Sequence, residues 1–168
     1  MTRNSVILIG MPGAGKSTLG ILLAKDLGLD FLDTDVAIQV KEENTLQEIL
    51  EQRGYLALRA VEENVLLTTD CHGKVIATGG SAVYSDKGMA YLKSCGTVIY
   101  LDVPLGELRR RIHNYETRGI ARRPDQSFAS LFEERAVLYR KYADITAVCG
   151  DLEPGEMVVQ VLEALNKI

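Results

Sequence analysis

The most specific chemistry in the chain lies in Gly10-Met11-Pro12-Gly13-Ala14-Gly15-Lys16-Ser17-Thr18. Gly10, Gly15, Lys16 and Ser17 satisfy the spacing G-x-x-x-x-G-K-[ST] of a phosphate-binding loop. Glycines let successive backbone N–H groups turn inward, and with a following helix N-terminus they form an anion cradle. The N–H groups of Gly13, Ala14, Gly15, Lys16, Ser17 and Thr18 are the candidates for that cradle. The Lys16 ammonium can reach the β- and γ-phosphates, and the Ser17 hydroxyl can ligate Mg²⁺. A structural turn requires neither the lysine nor the serine, so the expectation is a site for a nucleoside triphosphate.

Two further clusters have chemical potential. Asp33-Thr34-Asp35 places two carboxylates one residue apart, on the same side of an extended segment. Asp33 is suited to holding Mg²⁺ through water. Asp35 is suited to binding the hydroxyl of an acceptor, although it could instead cap a helix. The segment from Tyr115 to Ser127 has no apolar period and carries Arg118, Arg122 and Arg123. It reads as a lid, over about residues 115–127, whose arginines meet the negative charge of a transferring phosphoryl group.

These residues need elements to hold them. Val6-Ile7-Leu8-Ile9 reads as a buried strand before the loop, and Leu19, Leu22, Leu23 and Leu27 follow at helical spacing. Further strands are expected at Leu29–Asp33, Lys74–Thr78, Thr97–Leu101 and Asp144–Val148, with helices between them. The helical stretch after Val36 is interrupted at Gly54. The pattern predicts one α/β domain over residues 1–168, three layers αβα around a mostly parallel sheet of about five strands. Ligands of such sheets sit at the carboxyl ends of the strands, where the loop, Asp33/Asp35 and Gly79-Gly80-Ser81 all fall.

Composition limits the function classes. A formal net charge of −4 and a pI near 5.3 lack the basic footprint of a nucleic-acid binder. No apolar run is long enough to span a membrane, and no leader pattern precedes the first strand. Cys71, Cys95 and Cys149 are odd in number and form no C-x-x-C pair. They are expected as buried or idle thiols in a reducing compartment, forming neither a disulfide frame nor a zinc site. His72 and His113 have no partner spacing and are expected at the surface. The expectation is a cytoplasmic, monomeric enzyme acting on a small molecule.

In order along the chain, Gly10–Ser17, Asp33-Thr34-Asp35 with Val36-Ala37-Ile38, Arg59 with Glu62-Glu63, Thr78-Gly79-Gly80, and Glu134-Arg135 before Leu138-Tyr139 resemble the shikimate kinases. The resemblance implies a P-loop kinase of the nucleoside-monophosphate-kinase type. It implies ATP, Mg²⁺ and transfer to a hydroxyl of a small carboxylic acid, shikimate first. It assigns Arg59 and Arg135 to the substrate carboxylate, and Gly79 and Gly80 to the lining of its site. The acceptor-binding helices fall at about residues 34–62. Arg118 matches the lid arginine, and Arg111 and Pro154 match the positions that sandwich adenine. The chain departs from the family pattern at Leu50, Tyr55, Leu58, Ser81 and Val137, all expected on the acceptor side. Homoserine and gluconate remain as alternative acceptors. A nucleotide-dependent switch or bare NTPase is the alternative of another class, one that has no need of Arg59 and Arg135.

Overall fold

The computed structural model describes residues 4–167. Strand β1 (Ser5–Ile9) leads through the glycine loop into α1 (Lys16–Leu27), followed by β2 (Asp30–Asp33), α2 (Thr34–Glu42) and α3 (Leu46–Thr68). Then come β3 (Lys74–Ala77), a 3₁₀ turn (Ala82–Tyr84), α4 (Asp86–Cys95) and β4 (Gly96–Asp102). The chain ends with α5 (Leu105–Arg111), α6 (Phe128–Tyr142), β5 (Ile145–Val148) and α7 (Pro154–Leu165).

The five strands form one sheet in the order β2-β3-β1-β4-β5, and every neighbouring pair is parallel. Right-handed crossovers running one way from β1 to β2 and the other way from β3 to β4 put helices on opposite faces. The expected three-layer α/β architecture is the observed one. β1 and the centre of β4 are fully buried and carry Val, Ile and Leu, as strands covered on both faces must. The direction of winding changes between β1 and β3. The loop after β1 and Thr78-Gly79-Gly80 after β3 therefore flank the crevice where such folds bind ligands.

A second, smaller core joins Ile38 of α2, Ile49, Leu58, Val61 and Val65 of α3, and Ala121 of the irregular segment. The expected break at Gly54 is present, with φ 82° and ψ 169° inside α3. An earlier break was not foreseen. Glu43 takes a left-handed φ of 53°, and Thr45 then starts α3 with a reciprocal capping box to Glu48. The T-x-x-E spacing carried that signal.

The cysteine reading is corrected. Cys71 and Cys95, 24 residues apart in sequence, are joined in a disulfide with their Cα atoms 6.0 Å apart, and Cys149 is a buried free thiol. Cys71 lies just before β3 and Cys95 just before β4. These two strands flank β1 on either side, so their entry points share one end of the sheet. Spacing along the chain does not reveal that meeting.

Candidate active site

The glycine loop is built by backbone geometry that only glycine accepts easily. Gly13 has φ 83° and Gly15, the residue before α1, has φ 90°. A Cβ on Gly13 would lie 2.7 Å from the Ile112 side chain. No side chain caps α1, so its first N–H groups stay open to an anion. Lys16 is 8% exposed and donates to the carbonyls of Gly10 at 2.7 Å and Met11 at 2.8 Å. Burial pulls its pKa down to about 8, with Asp35 opposing and Arg118 adding to the fall.

Ser17 Oγ donates to Asp33 Oδ2 at 2.5 Å, and Asp33 Oδ1 accepts from the backbone N–H groups of Asp35 and Val36. The helix cap is thus Asp33, which leaves the Asp35 carboxyl free to face the cavity. Burial raises the pKa of Asp35, against the pull of Lys16.

Beyond the loop lies a cavity of about 330 Å³ lined by Lys16, Ser17, Asp35, Glu62, Gly79, Gly80, Arg118 and Arg135, with Ile38, Leu58 and Ile120 as apolar wall. At both glycines the site's own side chains approach the backbone closely. A Cβ on Gly79 would collide with Glu62 Oε1 and stand 2.6 Å from Asp35 Oδ1, and one on Gly80 would stand 2.7 Å from Arg135 Nη1. Thr34 Oγ1 accepts from the Gly79 N–H at 2.9 Å, and Tyr139 donates to the Gly80 carbonyl at 2.7 Å. Arg135 is 1% exposed and donates to the Ala121 carbonyl at 2.8 Å.

Arg59 reaches the same carbonyl from the other side, with Nη2 at 3.4 Å. It lines an adjoining cavity with Glu63, Tyr84 and Ser85 rather than the main one. The two arginines still converge on one point. Of the lid arginines, only Arg118 lines the cavity. Arg122 is taken up by Glu116, the Gln126 carbonyl and the Tyr115 ring, and Arg123 by Glu134. The segment lies down over the site. Gly119, with φ 72°, donates to Gln47 Oε1 of α3, and Ile120 and Ala121 are buried.

A further cavity of about 360 Å³ opens beside the loop, with Gly15, Thr18, Arg111 and Pro154 in its wall. Arg111 is held there by Glu107 at 2.8 Å and by the Gly13 and Gly150 carbonyls.

The departures from the family pattern separate in space. Ser81 and Leu58 line the main cavity. Leu50 and Tyr55 border a different groove, against Tyr115 and Pro124 of the lid segment. Val137 is 66% exposed on the outer side of α6, so the expectation that it belongs to the acceptor side is corrected.

Two residues escaped a site assignment from the sequence. Glu62 is 3% exposed. Ser81 Oγ donates to its Oε2, Oε1 has no hydrogen-bond partner, and burial pushes its pKa up to about 7. Tyr84 stands under both carboxylate-side arginines. For Glu62 the signal was one polar residue on the otherwise apolar face of Leu58, Val61 and Val65. For Tyr84 there was none.

A family model described as shikimate kinase matches residues 12–166. The shikimate kinase of Aquifex aeolicus (strain VF5) is 34% identical over 162 residues, 96% of this chain and 95% of that protein. A solved structure of a shikimate kinase from Acinetobacter baumannii in complex with shikimate superposes with a TM-score of 0.88 at 31% identity, covering 98% of this chain and 93% of that one. A thymidylate kinase from Candida albicans, 12% identical with a TM-score of 0.58 over 99% of this chain and 92% of that one, shares the fold. With a matching family model over almost all its length and relatives above 30% identity, this chain belongs to the shikimate kinase family.

Proposed function

We infer that this chain transfers the γ-phosphate of ATP to a hydroxyl of shikimate. One observation carries the reading most directly. A single cavity joins the phosphate loop and Asp35 at one end to a buried arginine, Arg135, that is in no ion pair among the described residues, at the other. An anionic acceptor with a hydroxyl spans those two ends, and a bare NTPase has no use for the second.

In this reading the loop N–H groups and Lys16 hold the phosphates, and Arg111 and Pro154 border the nucleoside. Asp35 orients the acceptor hydroxyl and takes its proton, and a raised pKa suits that task. Arg118 adds positive charge at the equatorial phosphoryl oxygens as charge builds there. Arg135 and Arg59 fix the carboxylate, with Gly79 and Gly80 giving the ring room. Ser17 and Asp33 set two hard oxygens side by side, which suits Mg²⁺. When bound, that ion neutralises phosphate charge. The protein acts as a monomer in this reading, since every group named comes from one chain.

Steady-state kcat/KM at saturating MgATP for shikimate, homoserine and gluconate tests the acceptor. Shikimate is expected to lead by tenfold or more, because all three acids can pair the arginines but only a ring fills the apolar wall of Ile38, Leu58 and Ile120. A tenfold lead for either open-chain acid overturns the choice of shikimate. ADP release that never exceeds the acceptor-free background overturns the kinase reading itself.

A further inference from the structure

Arg59 and Arg135 present a physical problem. Their guanidinium groups converge on one carbonyl, that of Ala121. Each has a buried Nε without a hydrogen-bond partner. None of the ion pairs among the described residues involves either arginine. Two like charges brought together, one of them fully buried and the other half-buried, need compensation. An intramolecular carboxylate would supply it, but would also occupy the place of an acidic ligand.

The compensation comes from an aromatic face. The Arg59 guanidinium carbon lies 3.6 Å from the Tyr84 ring centroid, and that of Arg135 lies 5.5 Å from the same centroid. Tyr55 stands at 5.1 Å from Arg59. A ring face attracts a cation through its quadrupole, most strongly where water is excluded. It also leaves the N–H groups at the guanidinium edge available, which a carboxylate would not. The Tyr84 hydroxyl is meanwhile fixed by Glu134, which also accepts from Arg123 and Gln126 of the lid segment. The ring is therefore held in place from its far edge by the same helix that carries Arg135.

We propose that Tyr84 is a positioning residue for acceptor recognition, its ring being the shared platform that aligns Arg59 and Arg135 on the substrate carboxylate. The proposal rests on the reading above that the acceptor is a carboxylic acid. Tyr84 does not line the cavity that holds Lys16 and Asp35, so its effect falls on acceptor binding and on the recognition of its charge.

Three enzymes, wild type, Tyr84→Phe and Tyr84→Leu, are compared with shikimate and with its uncharged methyl ester as acceptors. Wild type is expected to prefer the acid strongly, and Tyr84→Phe, which keeps the ring face but loses the bond to Glu134, is expected to fall between wild type and Tyr84→Leu. Tyr84→Leu is expected to raise KM for shikimate tenfold or more, with KM for MgATP within twofold of wild type. Its preference for acid over ester is expected to shrink by a similar factor, because the arginines lose their common alignment. A fold defect would lower turnover on both acceptors and leave that ratio unmoved. An unchanged acid-to-ester ratio in Tyr84→Leu overturns the proposal, as does a Tyr84→Phe variant that keeps the ring face yet loses as much of the preference as Tyr84→Leu. If Tyr84→Leu does not fold, the Phe variant and Tyr84→His, which shrinks the platform but keeps a ring, carry the same comparison. A wild type that ignores shikimate altogether removes the acceptor assignment instead, a different outcome from a wild type that uses it and a Leu variant that discriminates equally well.

Discussion

Lys16 sits between opposing charges, and its pH behaviour follows from them. Its pKa is down at about 8 in the free protein because burial disfavours the ammonium. Below that value the charge is present, and above it the charge is lost. kcat/KM for MgATP is therefore expected to fall above pH about 8, while kcat holds to higher pH because bound phosphates favour the protonated amine. Lys16→Ala is expected to lose about 10²–10³-fold in kcat and to abolish that alkaline limb; a variant that keeps the limb assigns it to another group. Glu62 works in the opposite sense. Its pKa is raised to about 7 by burial and by the Asp35 carboxylate, against Ser81, Arg135 and Lys16. It is neutral below that pH and negative above it, so an anionic acceptor meets more repulsion as pH rises. KM for shikimate is expected to climb several-fold between pH 6 and 8, on the order of 1 kcal/mol. Glu62→Gln is expected to flatten the climb, and an unchanged profile would show that another group sets it.

At the scale of elements, the lid segment is held by specific contacts at both ends. Gly119 approaches the start of α3 so closely that a Cβ would stand 2.6 Å from the Gln47 nitrogen, and Gln126 and Arg123 bond Glu134 on α6. Just before the first anchor Arg118 lines the main cavity, whereas Arg122, between the anchors, is tied to Glu116 and the Tyr115 ring. Arg118→Ala is expected to lower kcat by about a hundredfold, as loss of a phosphoryl-stabilising charge does. Arg122→Ala is expected to change KM and stability more than kcat. Single-turnover measurement of the transfer step separates the two, and a hundredfold loss in Arg122→Ala with none in Arg118→Ala reverses the assignment.

At the scale of the molecule, the Cys71–Cys95 disulfide ties the connection before β3 to the end of α4, on the far side of the sheet from the site. Closing a loop of that length restrains the unfolded chain and contributes about 3 kcal/mol in the entropic account. Reduction is expected to lower Tm by about 6–12 °C with kcat/KM for shikimate unchanged at 25 °C. Calorimetry with and without dithiothreitol, alongside Cys71→Ser, checks this; an unchanged Tm sets the contribution near zero.

The sequence by itself determined the phosphate loop, since its chemistry is a matter of glycine backbone freedom and a lysine–serine pair at fixed local spacing. It determined the parallel sheet and its helices as well, because buried strands and amphipathic helices write their periods into ten or fifteen consecutive residues. It placed Asp35, Gly79 and Gly80 at one mouth, because the carboxyl ends of parallel strands share one edge, whereas Arg135, on a helix, was reached only through the resemblance to a family. Only the tertiary structure decided which of two aspartates caps α2 and which faces the cavity, because both spacings are compatible with either role. It also decided that Arg118 is the lid arginine that lines the cavity, that Val137 faces solvent, and that Cys71 meets Cys95. Each of these depends on how distant segments are rotated and brought together by packing, and no window of neighbouring residues records that. Tyr84 is the extreme case: one tyrosine in a short turn, whose role arises from a helix before it and a helix fifty residues later.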